Sequence, residues 1–161
     1  MAWKHHTDYR FYIHKHTQGT TTFPKVDVED MFKCRFMKMS GATVPAVKNV
    51  YSEDYAEQDG LRMWVPDPAD ITYKDSEITI TLRWRSDECG DVEEASDNFF
   101  NYVTGQKLEW YDTFRNKYWQ LILTDTPSVQ FEDLHSPLQY KVVDYKFTNY
   151  GGRPHTTSQI G

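Results

Sequence analysis

Between Glu77 and Arg85 the chain alternates without a break: Ile78, Ile80, Leu82 and Trp84 fall on one side, and Glu77, Thr79, Thr81, Arg83 and Arg85 on the other. Side chains of an extended strand point alternately to opposite faces, so this spacing predicts a strand with one face in a core and one in water. Nothing else in the chain constrains the fold as tightly, because the residues that follow commit to a different period. After an acidic turn, Asp87-Glu88-Cys89-Gly90, the residues Val92, Ala95, Ser96, Phe99, Phe100 and Val103 recur at helical spacing. Asp91 is placed to accept from the free amides of the first turn, Glu94 sits three residues on, and Gly105 suits the left-handed position past the last turn. The two apolar faces are close in sequence and are expected to pack together, Ile78 to Trp84 under Phe99, Phe100 and Val103.

The remaining segments lean the same way. Tyr9, Phe11 and Ile13 alternate with Arg10, Tyr12 and His14, which predicts a first strand. Val26 to Asp30 is short and acidic, and the alternation from Met31 to Lys38 predicts a second strand. Leu61 to Val65 reads as a short strand closed by Pro66-Asp67-Pro68. Leu108 and Trp110, then Trp119, Leu121 and Leu123, predict a hairpin turning at Thr113 to Asn116, with its second strand covered on both faces and central. A short strand around Val129 and Phe131 is bracketed by Thr126-Pro127 and Ser136-Pro137. A long last strand, Gln139 to Thr148, carries Val143, Tyr145 and Phe147 on one face. Two stretches offer little to bury. One is the arm at about 41–64, where Val44, Val47, Val50, Tyr51, Tyr55, Asp59, Gly60 and Trp64 are candidate interface residues. The other is the tail at about 150–161, expected to stay free unless a neighbour orders it, with Tyr150 and Arg153 as candidates.

With 161 residues the chain fits a single domain, and its 16% aromatic content favours strands. A formal net charge of −6 gives no overall basic footprint for holding a phosphate backbone. No apolar run approaches the roughly 20 residues needed to span a bilayer, so no membrane role is expected. The start Met-Ala-Trp-Lys-His-His lacks the apolar stretch of a secretory signal, which points to synthesis in a cytoplasm. Cys34 and Cys89 read as free thiols. His14 and His16 share a strand face near His5-His6, but no cysteine or carboxylate spacing completes a metal set. Asp67 and Asp70 read as turn residues, Gly151-Gly152 opens no phosphate-binding helix, and nothing calls for a cofactor. Trp110, Tyr111, Tyr118 and Trp119 are placed either to stack on sugars or to fill a sheet packed on both faces.

The order of parts resembles phage tail proteins: two N-terminal strands, a long arm ending in Asp59-Gly60, an alternating strand, one helix, a hairpin and a long final strand. The segment Tyr55 to Arg85, with Asp59-Gly60 before a short strand and then Tyr73-Lys74-Asp75-Ser76-Glu77-Ile78-Thr79-Ile80, is similar to the ring-forming domain of distal tail proteins. Phe99 to Leu123 extends the likeness through the helix and hairpin. The resemblance implies a mainly β fold, an antiparallel β-sandwich of the tail-tube kind with one flanking α-helix. It also implies a homo-oligomeric, hexameric ring in the virion tail, stacked with tube, tape-measure or baseplate proteins, with DNA only in transit through the channel and no reaction. An acidic subunit repeated around such a channel would repel phosphates rather than hold them. Tube, distal-ring and terminator levels are all compatible with it. A stand-alone β-sandwich module binding carbohydrate or protein through exposed aromatics is the alternative.

Overall fold

The computed structural model describes residues 10–42 and 74–160, and the backbone alone of 51–54 and 61–64. In chain order its elements are β1 Phe11–Lys15, β2 Val26–Asp27, α1 Val28–Phe32, β3 Arg35–Ser40, β4 Tyr51–Asp54, β5 Leu61–Trp64, β6 Ser76–Arg85, α2 Ser86–Cys89, α3 Val92–Val103, β7 Lys107–Asp112, β8 Lys117–Leu123, β9 Ser128–Asp133 and β10 Tyr140–Asn149. The mainly β, antiparallel expectation holds. Eight strands form one open antiparallel sheet in the order β2-β1-β7-β8-β10-β6-β3, with β9 also on β10, and β4 pairs with β5 as a separate hairpin.

The sheet makes two layers because β8 and β10 touch only briefly. They pair over Leu121–Leu123 and Phe147–Asn149 and then diverge. The edge of β10 that β8 leaves bare is taken by β9, from Asp144↔Ser128 to Tyr140↔Asp133. One layer is therefore β3-β6-β10-β9 and the other β2-β1-β7-β8. Their apolar faces meet: Phe11 of β1 stacks on Phe36 of β3 with ring centroids 4.0 Å apart, and Trp110 of β7 lies 6.2 Å from Phe36. Ile78, Ile80, Leu82 and Trp84 are all fully buried, as are Val143, Tyr145 and Phe147 opposite them on β10. Each such side chain contributes about 1.5–3 kcal/mol to the driving force for folding.

Helix α3 packs against the inward side chains of β6 and β10. Asp91 caps it, accepting from the amides of Glu93 at 3.0 Å and Glu94 at 3.2 Å, and Gly105 follows with φ +69°. Phe99 meets Phe32, Trp84 and Tyr145. Phe100 departs from the expectation. It is half-buried on the flank of the helix, beside Thr126 and Pro127 rather than under it, because residues one apart on a helix point about 100° away from each other. The acidic turn before α3 is itself a single helical turn, α2.

The strand expected from Met31 to Lys38 is corrected. Helix α1 runs to Phe32, and extended chain resumes only at Arg35. The cause is local: Asp27 Oδ1 accepts from Asp30 N at 3.2 Å, Val28 and Phe32 bury one side of the turn, and Lys33 turns left-handed at φ 56° to end it. Buried Glu29 then accepts from the Phe36 amide at 3.4 Å, which fixes α1 against β3. At the far end of β3, Gly41 has φ +79°, and a Cβ there would lie 2.3 Å from the Glu77 carbonyl. Only glycine lets the chain leave β3 so close to β6.

Candidate interaction surface

The outer face of the second layer carries a buried polar network. Glu109, on β7 between Leu108 and Trp110, is almost wholly buried. Its carboxylate accepts from Gln120 Nε2 at 2.8 Å, Ser158 Oγ at 2.6 Å and the Gln159 amide at 2.7 Å. Gln120 Oε1 lies 2.7 Å from His16 Nε2, which also meets the Tyr150 hydroxyl at 3.1 Å. The residues after Tyr150, read from the sequence as free, are thus bonded to the domain. His155 exchanges both backbone hydrogen bonds with Tyr118, at 2.8 and 2.9 Å, on the half of β8 that β10 leaves. Gly151 permits this approach, since a Cβ there would sit 2.6 Å from Gln120 Cβ. The tail is held by polar bonds rather than apolar burial, which composition does not display. Burial pushes the Tyr150 phenol up to about 12.

Other groups that carry chemistry are also committed to partners inside the domain. Lys141, buried at 8% exposure, donates to Glu93 Oε1 at 2.9 Å and Ser96 Oγ at 3.2 Å, tying β10 to α3. Glu88 accepts from Arg35 Nε at 2.6 Å and Arg83 Nη2 at 2.8 Å. The hydrogen bond from Arg85 holds the Asp87 carboxyl below its ordinary range. Cys34 is buried and Cys89 half-buried, both free thiols; burial raises both, Cys89 to about 11, which disfavours the reactive thiolate. His14 Nε2 lies 2.8 Å from the Phe23 carbonyl. Among the described residues no three His, Cys, Asp or Glu side chains converge as metal ligands, and no helix is long and apolar enough to cross a membrane.

The aromatics divide by face. Trp110 and Trp119 are in the core. Tyr111 and Tyr118 stack at 4.2 Å on the other face, Tyr12 lies 6.2 Å from Tyr111, and Lys25 Nζ sits over the group, 4.4 Å from the Tyr111 ring. This platform already holds a cation–π partner.

Of the residues expected at an interface, Val44, Val47, Val50, Tyr55, Asp59 and Gly60 lie outside the described residues. Tyr51 and Trp64 are register partners at one end of the β4–β5 hairpin, and Asp54 and Leu61 at the other. Tyr150 is turned into the network above, and Arg153 is exposed. Sequence reasoning missed the edges of the first layer. Among the described residues, β3 and β9 have no strand on their outer sides. Their exposed apolar side chains are Met37 at 49%, Val129 at 46% and Phe131 at 53%. Proline brackets and short length marked β9 as a strand; that its far side is bare depends on long-range pairing.

This architecture, two antiparallel layers sharing a core with a helix packed on the inner face of one, is similar to that of a phage distal tail protein. The crystal structure of the Dit protein (gp 19.1) of phage SPP1, described as a paradigm of the hub adsorption apparatus in phages infecting Gram-positive bacteria, matches with a TM-score of 0.51 and 11% sequence identity, over 88% of this chain and 50% of that one. A chain of the phage p2 baseplate in its activated conformation with Sr matches at TM-score 0.49 and 18% identity, over 86% of this chain and 44% of that one. This chain therefore spans about half the length of the Dit chain. No family model matches it, and no curated protein does.

Proposed function

We propose that this chain is a non-enzymatic structural subunit of a phage tail, at the level of the distal tail or baseplate, and that its copies assemble into a closed, hexameric ring that meets other tail proteins and lets DNA pass. The observation that carries the reading is the shared fold with the SPP1 Dit protein over 88% of the chain. The surface chemistry agrees with it. Polar groups that would serve catalysis elsewhere are bonded to one another, while among the described residues one layer of the sandwich presents bare strand edges of the kind that join proteins by strand addition. The formal charge of −6 per copy suits a channel that DNA slides through without being held.

The hairpin β4–β5 is the reaching part of this subunit, with the arm residues Val44 to Trp64 meeting a neighbour. Sedimentation and negative-stain imaging of the purified chain test the reading: rings with a central opening are expected. Replacing residues 43–58 by a short Gly-Ser linker should leave a folded protein that no longer assembles. A chain that stays monomeric up to millimolar concentration would rule the ring out.

A further inference from the structure

We infer that the groove beside helix α3 takes an extended basic segment of a partner protein, two of its apolar side chains entering the groove and its cations meeting the acids on the rim. The groove belongs to a single copy and is present whether or not copies form the ring proposed above.

The groove exists because α3 does not cover the whole inner face of the layer it packs on. Its buried side meets Trp84 of β6 and Tyr145 of β10. Val129 of β9 points inward beside Val143, yet it is 46% exposed. Between Val129 and the helix lies a cavity of about 280 Å³, walled by Phe100, Pro127, Val129 and Val143 with Tyr145 at its floor. A second cavity of about 310 Å³ shares Phe100, Thr126 and Pro127 with the first and runs on to Leu123 and Gly105. The two draw on the helical flank from Ser96 to Phe100 and from Phe100 to Gly105, so their centres are roughly 7 Å apart at about 1.5 Å per residue. Side chains two apart in an extended chain point the same way and are spaced by about 6.6–6.8 Å, so such a segment fills both cavities at once.

A hydrogen-bonding group lies at the floor. Tyr145 is 1% exposed, and among the described residues its hydroxyl has no hydrogen-bond partner. Buried polar groups are nearly always paired, so a bare hydroxyl in the lining of an open cavity points to an occupant with a polar atom. Burial above all pushes the Tyr145 phenol up, which keeps it a neutral donor suited to a peptide carbonyl.

Charge selects the kind of segment. Asp97, exposed at the first cavity, has no hydrogen bond or ion pair among the described residues. Asp125, at the second, accepts only from the adjacent Thr126 amide, at 2.8 Å. Among the described residues the one base lining either cavity is Lys141, and its ammonium is bonded to Glu93 and Ser96. The rim is therefore acidic and uncompensated. It attracts a segment carrying Lys or Arg beside its apolar residues and refuses an acidic one. A second copy of this chain, at a formal charge of −6, is a poorer match.

The test uses the full chain and three synthetic peptides: acetyl-Lys-Leu-Ser-Leu-Lys-amide, its counterpart with Glu at both ends, and one with Ser in place of both Leu. In an NMR titration the first should shift the amides of Ser96 to Gly105 and of Asp125 to Val129, and bind at least about tenfold more tightly than either of the others. Asp97→Lys should reverse the preference between the two leucine peptides. Tyr145→Phe should melt at the parent's temperature, since no bond within the domain is lost, and bind the first peptide about fivefold more weakly. Val129→Arg, at a half-exposed site, should abolish binding while the fold, checked by circular dichroism, persists. Equal affinity for the lysine and glutamate peptides, shifts that fall outside the groove, or no binding of the first peptide at millimolar concentration would each overturn the site. So would a chain that binds no peptide but whose own association, followed by sedimentation velocity, changes with Asp97→Lys, for the occupant would then be another copy.

Discussion

The two layers of the sandwich share one core and hold their outer edges differently. In β2-β1-β7-β8 one edge is the two-residue β2, which pairs Asp27 and Val26 with Tyr12 and Ile13, and at the other the half of β8 that β10 leaves is bridged by His155 and bonded to Tyr150. In β3-β6-β10-β9 both edges are open among the described residues, and each bears a bulge, exposed apolar residues and charge of one sign. Open edges normally invite indiscriminate pairing, and bulges and charges are the usual guard against it. The contrast teaches that the first layer guards its open edges with bulges and charge, Arg35 and Lys38 on β3 and Glu132 and Asp133 on β9, where the second layer uses a short strand and a bonded tail.

The largest effect should come from the core the layers have in common. Leu82→Asp buries an unpaired carboxylate at a fully buried site between them, at a cost of several kcal/mol against a typical margin of about 5–15. Circular dichroism and thermal melting should show both layers lost together; a variant that folds and melts like the parent would mean Leu82 does not face this core. A smaller, one-sided effect is expected from Glu109→Ala. It strips partners from Gln120, Ser158 and the Gln159 amide, a loss of about 1–3 kcal/mol. Hydrogen exchange should rise across residues 150–160 and stay unchanged on β6 and β10. Equal deprotection of both layers would show that the tail is not a local strap.

Alkaline pH should act on the same strap more gently. The folded Tyr150 phenol is raised to about 12 by burial, so the folded state keeps its proton where the unfolded chain, near 10, has lost it. Its contribution is fully present below pH 10 and falls as the pH rises through about 12. Tyr150→Phe should flatten that part of the stability profile. An identical profile in the variant would assign the alkaline loss to another group.

What was legible in the sequence was local. The unit from β6 to α3 could be read because a two-residue period gives way to a helical one with Asp91 and Gly105 as its stops, and none of that depends on distant partners. Helix α1 was hidden because Phe32, Cys34 and Phe36 alternate as a strand would; the signal against it was Asp27 three residues before Asp30, a cap for a single turn. The tail was misjudged because its anchor, Glu109, sits between the core residues Leu108 and Trp110 and its partners are some 50 residues away. The same holds for the edges: Lys38 and Glu132 look like ordinary surface charges until pairing shows them to be at opposite ends of one layer.

The difference between the edges of the two layers is open to direct measurement. Hydrogen exchange of the dilute chain, read residue by residue, compares the outer amides of β3 and β9, which have no strand to bond to among the described residues, with Tyr118, whose amide donates to the His155 carbonyl at 2.8 Å. The account predicts fast exchange at the outer sides of β3 and β9 and slow exchange at Tyr118. Equal protection at both, or faster exchange at Tyr118, would contradict it.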